Sequence, residues 1–172
     1  MDFEKLTIKA QEAVQRAQQL ALEQQHQAIE CSHLLKGIFE VDEHVLPYIL
    51  KKLTLNAAHI QAALDQMVQQ YPKVSGETES YLSREAGNAL NKAQSALKEF
   101  GDSYVALEHL LLGVFRTSNE VSRMLKDAGM NEKELVEAIK ELRKGSRVHS
   151  KSAEESYHAL DKYAVHLNER AE

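Results

Sequence analysis

The chain has 172 residues, 43% of them hydrophobic and 27% charged, which is enough for one or two globular domains with apolar cores. Its 21 Lys and Arg against 26 Asp and Glu give a formal net charge of −5, which argues against a general nucleic-acid-binding protein. No apolar run approaches the ~20 residues of a membrane helix, no signal-peptide pattern opens the chain and the single cysteine cannot form an internal disulfide, so we expect a cytoplasmic protein.

The predicted elements are helices throughout. Only two prolines, seven glycines and no tryptophan occur in a chain rich in Ala, Leu, Gln, Glu and Lys, and this composition favours an all-α fold. Apolar residues recur at steps of three and four, as on one buried face of a helix. The pattern predicts eight helices, near residues 8–25, 31–41, 43–52, 57–70, 84–100, 106–116, 119–127 and 132–143.

Capping residues mark several of the predicted helix ends. Thr7 and Ser83 precede the first and fifth helices, where a side-chain hydroxyl accepts a backbone N–H. Gly101, Gly129 and Gly145 follow later helices, where a positive φ closes a helix C-terminus. These positions agree with the helix ends that the periodicity sets.

The last four predicted helices repeat the first four. Ile29–Phe39 lies over Val105–Phe115 at an offset of 105 − 29 = 76 residues, and both segments contain His-Leu-Leu-x-Gly-x-Phe. Leu6–Ala10 lies over Leu82–Ala86 at the same offset, and after one deleted residue the match resumes. We therefore predict two copies of one four-helix unit.

Two changes in composition divide the chain. The polar segment 72–81, which contains proline and glycine, is predicted to be a mobile loop between a first repeat of residues 1–71 and a second of residues 82–145. The basic segment Arg143–Lys151 has no aromatic residues between its charges, so we predict a solvated linker rather than an anion-binding site.

A further helix of about 17 residues is predicted after residue 151, where Ser152 and Glu155 form a capping-box pattern. Its apolar residues form a stripe at helical spacing with no partner in either repeat: Tyr157, Leu160, Tyr163, Ala164 and Leu167. We therefore expect residues 146–172 to lead into another domain.

Glu30 and His33 are the candidate metal ligands, because their i, i+3 spacing is the one used in di-iron carboxylate bundles. The second copy does not keep the pair: it has Ala106 in place of Glu30, and its Glu108 stands directly beside His109. Matching glutamates on partner helices are also missing, so we favour a structural histidine and expect no metal site.

Cys31 is the candidate nucleophile, but it needs a histidine held beside it, and a buried, unreactive thiol is the favoured interpretation. The 172 residues contain no phosphate-binding loop, Gly-x-Ser-x-Gly, His-Glu-x-x-His or Cys-x-x-Cys motif. We therefore expect neither catalysis nor a cofactor in this part of the protein.

Motifs in both copies resemble the duplicated Clp N-terminal domain over residues 3 to about 145. They are Leu6-Thr7-x-Lys9-Ala10, His26-Gln27-x-Ile29-Glu30-x-x-His33-Leu34-Leu35, Leu53-x-Leu55-Asn56 and Gly101-Asp102-Ser103-Tyr104-Val105-x-x-Glu108-His109-Leu110-Leu111. In the tail, Gly145-x-Arg147-Val148 and Glu155-x-Tyr157-x-Ala159-Leu160 resemble the disaggregase chaperones of this family more than its protease-linked members.

The resemblance implies two four-helix units related by a pseudo-twofold axis and joined to a hexameric AAA+ ring. Such a module binds unfolded or aggregated polypeptides and passes them to the ring, while ATP and Mg²⁺ bind in domains further along the parent chain. By this resemblance residues 146–172 lead to the first nucleotide-binding domain. We expect residues 1–172 by themselves to be a monomer and, from the net charge and the lack of an apolar span, to bind neither nucleic acid nor membrane.

Three residues of this sequence match family positions implicated in binding substrate polypeptide, namely Thr7, Asp102 and Glu108. Each also has a structural interpretation. Thr7 is a natural helix N-cap, Asp102 completes a Gly-Asp turn, and Glu108 lies where a carboxylate favours the positive end of a helix dipole.

Two other functions stay open at this point. One is an adaptor-docking domain of a protease-linked Clp ATPase, which would hold a dedicated folded partner. The other is a small metal-dependent helical enzyme built on the Glu and His pairs.

Overall fold

The structure is a computed structural model that describes residues 2–76 and 79–157. Up to residue 145 the described residues form eight α-helices: α1 Ile8–Glu23, α2 Cys31–Val41, α3 Val45–Lys52, α4 Ala57–Gln69, α5 Arg84–Phe100, α6 Leu107–Arg116, α7 Glu120–Ala128 and α8 Glu132–Arg143. The all-α prediction is confirmed, and each of these helices lies within two residues of its predicted bounds. A 3₁₀ turn, Phe3–Lys5, precedes α1, and two short strands, β1 Ala28–Ile29 and β2 Tyr81–Leu82, were not predicted.

Local capping explains where the long helices begin and end. Thr7 Oγ1 accepts the backbone N–H of Ala10 at 3.0 Å, and Ser83 Oγ accepts that of Ala86 at 3.1 Å. Gly101 and Gly129 close α5 and α7 with φ values of 67° and 116°.

The predicted cap of α8 is displaced by one residue. Lys144, with φ 50°, is the C-cap, and Gly145 follows it with φ 84°. Two successive left-handed residues turn the chain sharply at this point, so that it runs back over the second repeat.

In each copy, the segment before the first helix pairs with a segment of the other copy, as a pseudo-twofold relation requires. Ile29 of β1 pairs in parallel with Leu82 of β2, and Leu6 pairs in parallel with Val105. At the offset of 76 residues Leu6 corresponds to Leu82 and Ile29 to Val105. Each copy therefore contributes one partner to both pairings, and the predicted two-unit architecture is confirmed.

A glycine in each copy lets two helices cross at close range. A Cβ atom on Gly37 of α2 would overlap the Ala13 carbonyl oxygen of α1, and one on Gly113 of α6 would overlap the Ala89 carbonyl oxygen of α5. This crossing is the principal helix contact within each repeat, and buried apolar side chains from both copies join in one core. Among the residues described, no helix is long and apolar enough to span a membrane.

Residues 146–157, which we call the strap, contact the second repeat and also Thr7 and Ile8 of the first. Val148 and Tyr157 are 0% and 1% exposed, and Ala153 and Glu154 are also buried. Arg143, at the start of the predicted solvated linker, is buried as well, so that prediction is wrong for Arg143 and Val148. Arg143 is buried and not solvated because two buried carboxylates of the second repeat pair with its guanidinium.

The prediction that residues after 145 belong to another domain stays a prediction. The part of them that the structure describes contacts the repeats, and residues 153–157 are helical. Leu160, Tyr163, Ala164 and Leu167 of the predicted stripe lie outside the described residues.

Candidate functional site

Thr7, Asp102 and Glu108 lie in one region, between the N-termini of α1 and α6, and the strap covers it. We call this region, with Leu107 and Arg143, the strap site. The side chains of Asp102 and Glu108 are 0% exposed, and Thr7 is equally buried. None of the three predicted substrate-binding residues is therefore accessible while the strap is in place, and direct substrate contact stays a prediction.

The strap is held at Thr7 by one carboxylate. The Thr7 Oγ1 hydroxyl donates to Glu154 Oε2 at 2.7 Å, and the backbone N–H of Leu107 donates to the same oxygen at 3.1 Å. The N–H of Ile8 donates to the Lys151 carbonyl at 2.8 Å. Ile8 and Leu107 are the first residues of α1 and α6, whose N–H groups have no acceptor within their own helix, so the strap supplies an acceptor for one such group at each helix.

Arg143 joins the two acidic residues of the site. Its Nη1 donates to Asp102 Oδ2 at 2.6 Å and its Nε to Glu108 Oε2 at 2.8 Å, while its guanidinium lies 5.0 Å from the centre of the Phe100 ring. Asp102 Oδ2 also lies 2.7 Å from His109 Nε2. The arrangement pairs both buried carboxylates with donors, as a buried charge requires.

These pairings shift the acid–base behaviour of the cluster. Burial alone would raise the pKa of Asp102, but the hydrogen bond to His109, the Val148 N–H and the charge of Arg143 together lower it. Burial alone would lower the pKa of Arg143, yet the Glu108 carboxylate opposes it and that pKa is raised. Both groups are therefore charged at neutral pH.

The equivalent positions of the first repeat carry two histidines. His26 corresponds to Asp102 and His33 to His109, and His26 Nδ1 lies 3.1 Å from His33 Nε2. His33 Nδ1 accepts the N–H of Glu30 at 2.9 Å, as His109 Nδ1 accepts that of Ala106 at 2.8 Å. Each histidine thus closes the first turn of its helix.

Glu30 and His33 belong to no group of three or more potential metal ligands in the parts of the chain that the structure describes. The Nδ1 lone pair of His33 is already occupied by the backbone. Burial, the neighbouring His26 and Lys36 lower the pKa of His33 to about 4, so the ring is neutral. A structural role accounts for its position.

Cys31 lies at the start of α2 and is 3% exposed. Burial first, and then the charge of Glu30, raise the pKa of its thiol to about 12. The thiol is therefore protonated at neutral pH and lacks the thiolate that a nucleophile needs.

Sequence reasoning does not identify three residues as functional: Arg143 of the strap site, and Glu154 and Tyr157 of the strap. Composition predicts a basic linker at Arg143, and the apolar pattern predicts a helix of another domain at Glu154 and Tyr157. One feature of the sequence could have pointed to Glu154. Ala106 stands where the first copy has Glu30, so the second copy lacks this carboxylate and another residue must supply it.

We expect the strap to bind more weakly as the pH rises. Burial and the charge of Glu108 raise the pKa of Glu154 to about 7 from its ordinary value of 4.5, against the opposing effects of Thr7 and Leu107. A raised native pKa gives stability that is complete below 4.5 and is lost as the pH rises through 7. Thermal unfolding at pH 5 and pH 8 should show a loss of roughly 2 kcal/mol from this group.

The matched control is Glu154→Gln, which keeps a side-chain oxygen as acceptor for Thr7 and Leu107 and cannot titrate. Its stability should change less between the two pH values than that of the wild type. An identical change in both proteins would contradict the assignment of the effect to Glu154.

Comparison with known proteins gives one family. Residues 5–128 match the family model described as the Clp repeat (R) N-terminal domain. The chain is 48% identical over 171 residues to Chaperone protein ClpB of Bacteroides thetaiotaomicron and 45% identical over 171 residues to Chaperone protein ClpB of Porphyromonas gingivalis. Each alignment covers 99% of this chain and 20% of the relative, so the chain spans about a fifth of the length of these relatives.

Solved structures share the fold. The Hsp104 N-terminal domain from Candida albicans superimposes with a TM-score of 0.75 at 24% identity, covering 87% of this chain and 99% of that one. The N-terminal domain of ClpD from Arabidopsis thaliana superimposes with a TM-score of 0.60 at 22% identity, covering 80% of this chain and 94% of that one.

Proposed function

Since the chain belongs to the Clp repeat N-terminal domain family, we propose that it is the substrate-binding N-terminal module of a ClpB-type ATP-dependent disaggregase. The observation that carries the proposal is the 48% identity to a chaperone named ClpB along 99% of this chain. In this role the module binds unfolded or aggregated polypeptides and passes them to a hexameric AAA+ ring in the cytoplasm. It holds no cofactor itself, and ATP and Mg²⁺ act in domains further along the parent.

The surface supports binding to many sequences. Five large apolar side chains are between 41% and 55% exposed: Phe3, Ile8, Leu22, Tyr81 and Leu82. Apolar contacts need no matched hydrogen-bond partner, so such side chains accept varied sequences at modest affinity. A tether to the ring then raises the local concentration of captured chains without requiring tight binding.

We propose that Thr7, Asp102 and Glu108 contact the substrate after the strap has moved away. Each of the three faces the strap: Thr7 bonds to Glu154, Asp102 accepts the Val148 N–H at 2.9 Å, and the charge of Glu108 acts on Glu154. Removal of the strap would leave their polar groups without these partners and therefore ready to bind another chain.

Thr7→Val, Asp102→Asn and Glu108→Gln are each expected to slow recovery of a heat-aggregated reporter enzyme by the full-length parent. The loss of one hydrogen bond to substrate predicts a reduction of roughly tenfold. ATP hydrolysis without substrate measures the state of the ring, and Glu155→Gln, on the exposed side of the strap, is the matched control.

Thr7→Ser is the conservative control for Thr7→Val, because it keeps a hydroxyl that can cap α1 and bind substrate, as the Ser83 hydroxyl caps α5. It should retain both stability and recovery. Full recovery by all three variants, with native circular dichroism, would remove these residues from the proposed site.

Adaptor docking makes the opposite prediction. If the chain ignores unfolded proteins but elutes from size-exclusion chromatography as a stoichiometric complex with a folded adaptor protein, the disaggregase proposal is wrong.

A further inference from the structure

The carboxylate at the N-terminus of α6 does not come from α6. In the first repeat, Glu30 precedes α2, and the Ser83 side chain lies close enough to its carboxylate to oppose the rise in its pKa that burial causes. In the second repeat, Ala106 precedes α6, and the Thr7 hydroxyl donates instead to Glu154 of the strap. Because Thr7 is the repeat equivalent of Ser83, Glu154 fills the place that Glu30 fills in the first copy.

Because Ala106 replaces Glu30 in the second copy, the carboxylate at the N-terminus of α6 comes from a separate segment of the chain, which a different segment could replace. A carboxylate is favoured at a helix N-terminus by the helix dipole and by unsatisfied N–H groups. Glu30 is fixed there by its own backbone, whereas Glu154 arrives on a segment that joins α8 through two exposed left-handed residues, Lys144 and Gly145. Another segment can therefore take the place of Glu154 without disturbing the helices.

The strap is attached at separate points along its length. Val148 is buried, its carbonyl accepts the Ser103 N–H at 2.7 Å and its N–H donates to Asp102. Next to it, His149 Nδ1 lies 2.9 Å from Ser103 Oγ, and farther along the Lys151 carbonyl and Glu154 accept hydrogen bonds while Ala153 and Tyr157 are buried. The side chains at 146, 147, 150, 152, 155 and 156 are exposed.

Docking of the strap also carries an electrostatic cost. Glu154 and Glu108 are both buried, and Oε1 of each has no hydrogen-bond partner in the part of the chain that the structure describes. Two neighbouring buried carboxylates repel each other, which offsets part of the gain from burying Val148 and Tyr157. A segment with few buried side chains and such a cost detaches more readily than a core helix.

We propose that the strap is a built-in competitor of the substrate: it occupies the strap site in the unliganded protein, and an unfolded polypeptide must displace it to reach Thr7, Asp102 and Glu108. This inference rests on the proposed function. Its consequence is a lowered apparent affinity, because only the fraction of molecules with a displaced strap is competent to bind.

Tyr157→Ala in the 172-residue chain tests the proposal, since it removes the largest buried side chain of the strap. The probe is fluorescent α-lactalbumin, reduced and carboxymethylated so that it stays unfolded, and the readout is anisotropy. We expect Tyr157→Ala to bind it roughly tenfold more tightly than the wild type, as a shift of the strap equilibrium predicts. Glu155→Gln should bind like the wild type.

A peptide with the sequence of residues 146–157 gives a second test. Added in trans, it should compete with the unfolded probe for Tyr157→Ala. Equal or weaker binding of the probe by Tyr157→Ala, or a peptide that binds without competing, would overturn the strap as a competitor.

Hydrogen exchange in the wild type needs no substitution. The Val148 amide donates to Asp102 only while the strap is docked, so saturation with the unfolded probe should remove its protection. Probe binding that leaves Val148 protected overturns the strap inference alone. Failure of both the wild type and Tyr157→Ala to bind the probe overturns the proposed function and, with it, this inference.

Discussion

Arg143→Met is expected to destabilise the protein by roughly 3 to 5 kcal/mol, because it removes the partner of two buried carboxylates. The side chains of Asp102 and Glu108 have no solvent access, and the Arg143 guanidinium bonds to each. Methionine keeps much of the apolar stem, so the measured loss reports the charge rather than the packing. Urea denaturation at pH 7 gives the free energy of unfolding.

Arg147→Met is the matched control, since Arg147 lies four residues away and is exposed. Its loss should stay within about 0.5 kcal/mol. The triple variant Arg143→Met/Asp102→Asn/Glu108→Gln should be more stable than Arg143→Met alone, because no uncompensated charge remains. A loss below about 1 kcal/mol for Arg143→Met would show that Arg143, Asp102 and Glu108 do not form a buried ion network.

Gly113→Ala is expected to cost about 3 kcal/mol or more by forcing α5 and α6 apart. The added Cβ would overlap the Ala89 carbonyl oxygen and lie 2.9 Å from the Ala93 nitrogen. Both are backbone atoms of α5, which cannot turn aside as the end of a side chain can. Gly37→Ala should have a similar effect, because its Cβ would overlap the Ala13 carbonyl oxygen at the equivalent crossing. Thermal unfolding followed by circular dichroism measures both variants.

Gly87→Ala is the control for backbone effects, since Gly87 lies inside α5 with no atom within 4 Å of an added Cβ. It should stabilise the protein by roughly 0.5 to 1 kcal/mol through helix propensity. Equal stability of Gly113→Ala and the wild type would contradict the close crossing of α5 and α6.

The sequence predicts the helices well because the signals are local. Thr7 and Ser83 cap the residues three positions ahead, and Gly101 and Gly129 end helices within their own turn. The offset between the copies then predicts the two-unit architecture, since identical patterns fold alike.

The strap could not be predicted in this way, because its contacts are distant in sequence. Thr7 and Glu154 are 147 residues apart, and no sequence motif at either residue predicts that they pair. Arg143 lies directly before Lys144 at the start of a basic segment, which is typical of solvent-exposed chain, and its buried partners are Asp102 and Glu108 of other elements.

The candidate site was predicted only through the resemblance to a family. The residues themselves indicated caps and turns for Thr7, Asp102 and Glu108, and the structure shows Thr7 as an N-cap and Glu108 in the first turn of α6. The sequence alone does not predict that the strap covers Thr7, Asp102 and Glu108, because burial depends on where distant parts of the chain meet.

Capture of unfolded polypeptide is tested most directly by measuring the binding of one protein in two conformations. Labelled α-lactalbumin, either native or reduced and carboxymethylated, is titrated with the 172-residue chain and followed by fluorescence anisotropy. We predict saturable binding of the unfolded form and no binding of the native form. Equal binding of the two forms, or no binding of either, would contradict the claim that this duplicated helical domain captures unfolded polypeptides.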